Sequence, residues 1–113
     1  MTRAEFEEHV ARALEGLPAE LRQAMSNVEI VVEDENEEEP DLYGLYDGVA
    51  LTERDSGYAG VLPDKISIYR RPLVEDFGHD AELLEEEIQV TVVHEIAHHF
   101  GISDARLDEL GWA

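Results

Sequence analysis

The chain has no cysteine, which excludes disulfides, thiolate metal sites and a thiol nucleophile. Basic residues are scarce: eight Lys and Arg stand against 28 Asp and Glu, for a formal net charge of −20 at pH 7. Nucleic-acid binding depends largely on neutralising phosphates with Lys and Arg, so a nucleic acid would have to overcome this field and is not expected as a partner. No run of about 18 apolar residues occurs, and no membrane-spanning helix is expected. The opening MTRAEFEEHV lacks a basic start followed by an apolar run, so the expectation is a cytoplasmic protein without a secretory signal.

What is present suits a globular chain. The 113 residues are 43% hydrophobic and 32% charged, and that length predicts a single domain, 1–113, with one core. The acidic excess reads either as solubility or as a field that steers cations and basic peptides.

Thr2 and Glu5 stand at capping-box spacing, and Phe6, Val10, Leu14 and Leu17 follow at three- and four-residue intervals. This predicts a helix over about 3–16, ended by Gly16. Pro18 suits the first position of a second short helix, to about residue 25. Val28, Ile30, Val31 and Val32 mark a strand. The acidic run EDENEEEP, 33–40, reads as a solvated loop that repels its neighbours, since it lacks the spaced Asp, Asn and Gly of a calcium loop. Residues 42–54 look like one or two extended segments turning at Asp47-Gly48, with a glycine-containing loop over 54–64. Polar–apolar alternation at 65–69 marks a half-buried strand, ended by Arg70, Arg71 and Pro72. Asp80 caps a long helix over about 81–99 whose first turns are rich in Glu. A short helix over about 104–110 closes the chain. Three strands set between helices argue for an α+β fold.

The long helix carries TVVHEIAHHFGISDARLDELGW, 91–112. Ionisable groups seldom sit among residues such as Val92, Val93, Ile96 and Phe100 unless something pairs with them or binds them. At about 100° per residue, His94 and His98 share one face, and their ring nitrogens can meet one ion about 2 Å from each. Glu95, on the flank of that face, can take a proton from water at the ion's open position. Two histidines hold a metal poorly, so a third ligand is expected; Gly101 lets the chain turn and bring Asp104 back. Asp104 can instead be read as the cap of the last helix. Shuffling this composition gives HExxH with a chance of about 0.03, and HExxHxxGxxD with about 0.0002, so the longer pattern carries the weight. The competing reading is a pair of histidines satisfied by hydrogen bonds within a core helix.

Neighbouring groups say less. Thr91 and Glu87 precede His94 on the metal face and can hydrogen-bond a ligand imidazole, or be ordinary helix surface. His99 points away from His98, Asp108 and Glu109 read as plain helix charge, and His9 and His79 have no motif. Tyr43, Tyr46, Tyr58 and Tyr69 are all candidates to stabilise an oxyanion.

HExxHxxGxxD resembles the metzincin signature with aspartate in place of the third histidine. More narrowly, VLPDKISIYRRPL, 61–73, and TVVHEIAHHFGISDARLDELG, 91–111, are similar to the small bacterial zincin-like metallopeptidases, or minimal zincins. The resemblance implies an N-terminal helix, a short three- to four-stranded sheet, a metal-bearing helix and a short C-terminal helix. It implies a zinc ion (Zn2+) on His94, His98 and Asp104, with Glu95 as the catalytic group and a peptide or protein as substrate. Met1 and Met25 both precede the motif, so no Met-turn is expected, and the nine residues after Asp104 are too few for the usual C-terminal subdomain.

Three functions follow. The first is a zinc-dependent peptide hydrolase, with the strand at 65–69 pairing with an extended substrate if it lies at the sheet edge. The second is a metal-stabilised binding or regulatory module without turnover. The third is a metal-dependent nuclease, against which the acidic surface speaks.

Overall fold

The computed structural model describes residues 1–48, 64–100, 103–109 and 111. Most of the expected loop at 54–64, the later part of the segment at 42–54, Tyr58 and Gly101 lie outside the described residues, as do the side chains of His98, His99, Phe100 and Asp104.

Helix α1, Arg3–Glu15, begins with the expected box: Thr2 Oγ1 accepts from the Glu5 N–H at 3.2 Å, and Glu5 Oε1 accepts from the Thr2 N–H at 3.1 Å. Its apolar stripe buries Phe6, Val10 and Ala13. Pro18 then precedes α2, Ala19–Ala24. Strands β1, Val28–Glu33, β2, Gly44–Asp47, and β3, Asp64–Tyr69, form a mixed sheet in the order β1-β3-β2. β1 runs parallel to β3 and β2 antiparallel to it. The architecture is α+β, as the alternation of helices and strands implies.

Two expectations are corrected here. The strand at 65–69 is the middle one, hydrogen-bonded on both sides, so no substrate can add along it. Of the described strands, β2 is the edge next to the long helix. Second, Arg70, Arg71 and Pro72 do not merely end β3 but open helix α3, Arg70–Phe77. Proline is tolerated in a first helical turn, where its missing N–H has no intrahelical partner to lose. Pro72 and Leu73 are buried there.

Asp80 Oδ1 accepts from the N–H groups of Glu82 and Leu83, at 3.0 and 3.3 Å, and caps helix α4, Ala81–Phe100. Leu84, Ile88, Val92, Val93 and Ile96 are fully buried along α4 and meet Phe6, Ile66, Ile68 and Leu73 in one apolar cluster. Among the described residues no helix is long and apolar enough to cross a membrane. Helix α5, Asp104–Glu109, is capped by Ser103, whose Oγ accepts from the Arg106 N–H at 3.1 Å, and is anchored by buried Leu107.

The acidic run is not simply a loop that repels its neighbours. Arg70 donates to Asp34 at 3.1 Å, while Arg71 reaches Glu35 at 3.2 Å and the Pro40 carbonyl at 2.7 Å. Asn36 Oδ1 accepts from the N–H groups of Glu38 and Glu39, and its Nδ2 donates to the Tyr69 hydroxyl. Two of the chain's few cations hold this loop against the start of α3.

At the other end of the fold, α1 is tied to α4. Gln89 donates to the Ala13 carbonyl at 2.8 Å, and Glu85 Oε2 accepts from His9 Nδ1 at 2.6 Å and Arg12 Nε at 3.1 Å. The hydrogen bond from His9, then that from Arg12, holds the Glu85 carboxyl below its ordinary value of 4.5. A carboxyl with a depressed folded pKa stabilises the fold above its unfolded pKa and loses that contribution as pH falls through the folded one. The stability gap between the wild type and Glu85→Gln should therefore be full above about pH 4.5 and shrink below it, as read by denaturant unfolding across an acid series.

Candidate metal centre

The site lies on the C-terminal half of α4. Valines 92 and 93, Ile96 and Ala97 are buried, while His94 and Glu95 are half-buried on the side left to them. The helix is unbroken from Ala81 to Phe100, so the backbone places His94 and His98 one turn, about 6 Å, apart along the same helix. Among the described residues the imidazole of His94 makes no hydrogen bond, which fits a ring kept for another ligand. Asp104 is the first residue of α5. Because Ser103 supplies the cap, that helix has no need of Asp104 for it. Leu107, one turn on, fixes α5 to the core and so fixes where Asp104 begins. Among the described residues no three acidic or histidine side chains converge, but the side chains of His98 and Asp104 are not among them.

The sequence did not point to the group that meets Glu95. Glu95 Oε1 accepts from the main-chain N–H of Tyr46 at 3.1 Å. Antiparallel ladders alternate residues that bond across with residues that point outward. The Tyr69 N–H bonds the Tyr43 carbonyl at 2.9 Å, and the register pairs Leu45 with Ser67, so Gly44 and Tyr46 turn their main-chain groups away from β3. Tyr46 turns its N–H to α4. A backbone donor leaves no mark in sequence; the nearest available signal is the glycine two residues earlier. A Cβ on Gly44 would stand 2.6 Å from Thr91 Cγ2 and 3.1 Å from the Ser67 carbonyl oxygen. Only glycine lets β2 lie this close to α4.

Other sequence candidates take structural roles. The Thr91 hydroxyl donates to the Glu87 carbonyl at 2.8 Å within its own helix, not to an imidazole. Tyr46 donates its hydroxyl to buried Asp64 at 2.7 Å, and the Tyr69 hydroxyl accepts from Asn36 at 3.0 Å. Tyr43 donates to Asp76; that bond, with burial and the neighbouring acids, pushes its phenol up to about 12. Tyr43 and Tyr46 thus give their hydroxyl protons to carboxylates, and Tyr69 is buried at the end of β3 beside the acidic loop. His9 pairs with Glu85, Glu109 with Arg106, and His79 and Asp108 are exposed.

A small mixed sheet whose edge strand lies along an HExxH helix, with a capped helix starting at the next acidic position, defines a zincin-type domain. The family model described as zincin-like metallopeptidase matches residues 25–112, and the chain belongs to that family. The match covers both sequence blocks on which the resemblance was drawn. No curated protein matches the chain. Membership carries metallopeptidase character and zinc binding at the level of the family.

Proposed function

We propose that the chain is a zinc-dependent peptide hydrolase in which His94, His98 and Asp104 hold the ion and Glu95 handles the proton. The observation that carries this reading is the placement of Glu95: on the same turn of α4 as His94, half-buried, with its carboxylate held by the edge strand. The donor chemistry fits zinc, since two imidazoles and a carboxylate without thiolates are a known catalytic set. A zinc ion bound there supplies Lewis acidity, polarising the scissile carbonyl and making water acidic near neutral pH.

Glu95 then has one oxygen on the Tyr46 N–H and the other available. That second oxygen accepts the proton of the attacking water and later passes it to the leaving amine. Val92, Val93 and Ile96, fully buried behind the motif, keep the helix from turning and so keep His94 and Glu95 aimed outward. An extended peptide pairs along β2 through the outward main-chain groups of Gly44 and the carbonyl of Tyr46. Leu45, the next residue on β2, lines a cavity of about 640 Å³ with Arg3 and the acidic loop, where Glu33, Glu37 and Glu38 stand beside the arginine-paired Asp34 and Glu35. That lining supports a preference for basic side chains in the substrate.

Metal content and cleavage of a diverse peptide library test the proposal together. One zinc per chain and cleavage are expected. Zinc without cleavage would assign the chain to a metal-stabilised binding module instead. His98→Ala should lose stoichiometric zinc in elemental analysis and all cleavage with it; full zinc retention in that variant would remove His98 from the ligand set.

A further inference from the structure

Resting on the reading of Glu95 as the proton acceptor, we infer that Tyr46 is its positioning residue: the main-chain N–H of Tyr46 aims the carboxylate, and its phenol, tied to Asp64, fixes that N–H. Three contacts converge on this role. The first is the bond itself, Tyr46 N to Glu95 Oε1 at 3.1 Å. A carboxylate has two oxygens, so an N–H donor on one orients the other without consuming it.

The second contact is on the same residue's side chain. Tyr46 donates its hydroxyl to Asp64 Oδ2 at 2.7 Å, and Asp64 is only 7% exposed at the start of β3. Tyr46 stands opposite Ile66, so Asp64 is its diagonal neighbour on the same face of the sheet. Asp64 is itself fixed by its N–H, which donates to the Asn27 carbonyl at 3.1 Å. The phenol thus ties a four-residue edge strand to the central strand through a partly buried hydrogen bond to a carboxylate.

The third contact sets the height of the strand. Gly44 rests on Thr91, one turn of α4 before Glu95, at a distance that excludes any side chain. β2 therefore touches α4 twice, at Gly44 on Thr91 and at Tyr46 on Glu95, and the first contact brings the second within hydrogen-bond range. A Glu side chain has three rotatable bonds, and a misplacement of about 1 Å in a reacting group can cost about 10²-fold in rate. Fixing one carboxylate oxygen on a main-chain donor removes most of that freedom.

The test has an arm that needs no catalysis. In the metal-free protein, Glu95→Ala should move the Tyr46 amide proton upfield and speed its exchange, while the amides of Leu45 and Asp47 stay put. An unmoved Tyr46 amide overturns the inference and leaves the proposed function standing. The second arm separates the N–H from the phenol in the zinc-loaded protein. Tyr46→Phe and Asp64→Asn should each lower kcat about tenfold at unchanged KM and zinc content, a modest part of what full misplacement costs. Tyr46→Ala and Tyr46→Pro both lose the phenol, but only proline loses the donor; proline is accepted where an edge-strand N–H points away from the ladder. Tyr46→Pro should fall about another tenfold below Tyr46→Ala. Equal kcat in those two variants, or a loss carried wholly by KM, overturns the role; should the proline variant not fold, Tyr46→Phe and Asp64→Asn decide it. A wild type without peptide turnover defeats the proposed function, and the amide arm then decides the Tyr46–Glu95 tie alone.

Discussion

Glu95→Gln is expected to keep one zinc per chain and to lower peptide turnover by about 10²- to 10⁴-fold, the range that positioned proton transfer supplies. The substitution is nearly isosteric. Its amide oxygen can still accept from the Tyr46 N–H, so the tie between α4 and β2 persists. What it loses is basicity: an amide cannot take the proton of the attacking water at neutral pH. A group that acts only in the transition state lowers kcat and kcat/KM together, and KM should barely move. Elemental analysis and steady-state kinetics on the same preparation read both halves of the expectation. Wild-type turnover in this variant would remove Glu95 from the mechanism and leave the family's chemistry without its base in this chain.

The largest effect on stability is expected from Phe6→Ala. Phe6 is fully buried in the cluster that joins α1 to α4, where Leu84, Ile88 and Val92 are equally inaccessible. Truncating a buried phenylalanine costs about 3–5 kcal/mol through lost transfer energy and the cavity left behind. Domains of this size hold about 5–15 kcal/mol in total, so the metal-free variant should lose a large share of its margin. Denaturant unfolding measures this directly. Zinc should return part of the loss, because a ligand that binds only the folded state adds about 2.7 kcal/mol at a hundred times its Kd. A Phe6→Ala protein as stable as the wild type without metal would mean that α1 is not part of the core that supports the site.

The residues that could be read in advance were those whose chemistry is periodic. Phe6 and Val10 revealed α1 by spacing, and Thr2, Glu5 and Asp80 revealed helix starts because caps need particular side chains. The HExxH pattern placed His94 and His98 one turn apart on a single helix because about four residues make one turn. What escaped was set by context. Pro72 reads as a stop signal, yet in a first turn it costs nothing, and α3 was missed for that reason. Strand order cannot be read from the alternation at 65–69, so whether that strand is an edge stayed open until the sheet placed it in the middle. Arg70 and Arg71 were read as punctuation, but they neutralise and hold the acidic loop. The main-chain donor on Glu95 could not have been found, since every residue but proline carries one.

The way α4 interleaves its residues has a further consequence. Val92 and Val93 precede His94 and Glu95 directly, and Ile96 and Ala97 follow them at once, so packing and chemistry share the same two turns. Inserting or deleting one residue within 92–96 would turn everything beyond it by about 100°. The donors would swing towards the interior as aliphatic groups swung out to water. No frameshift of the helix can spoil the site and spare the core, so length changes in this segment should be tolerated nowhere, however conservative the inserted residue.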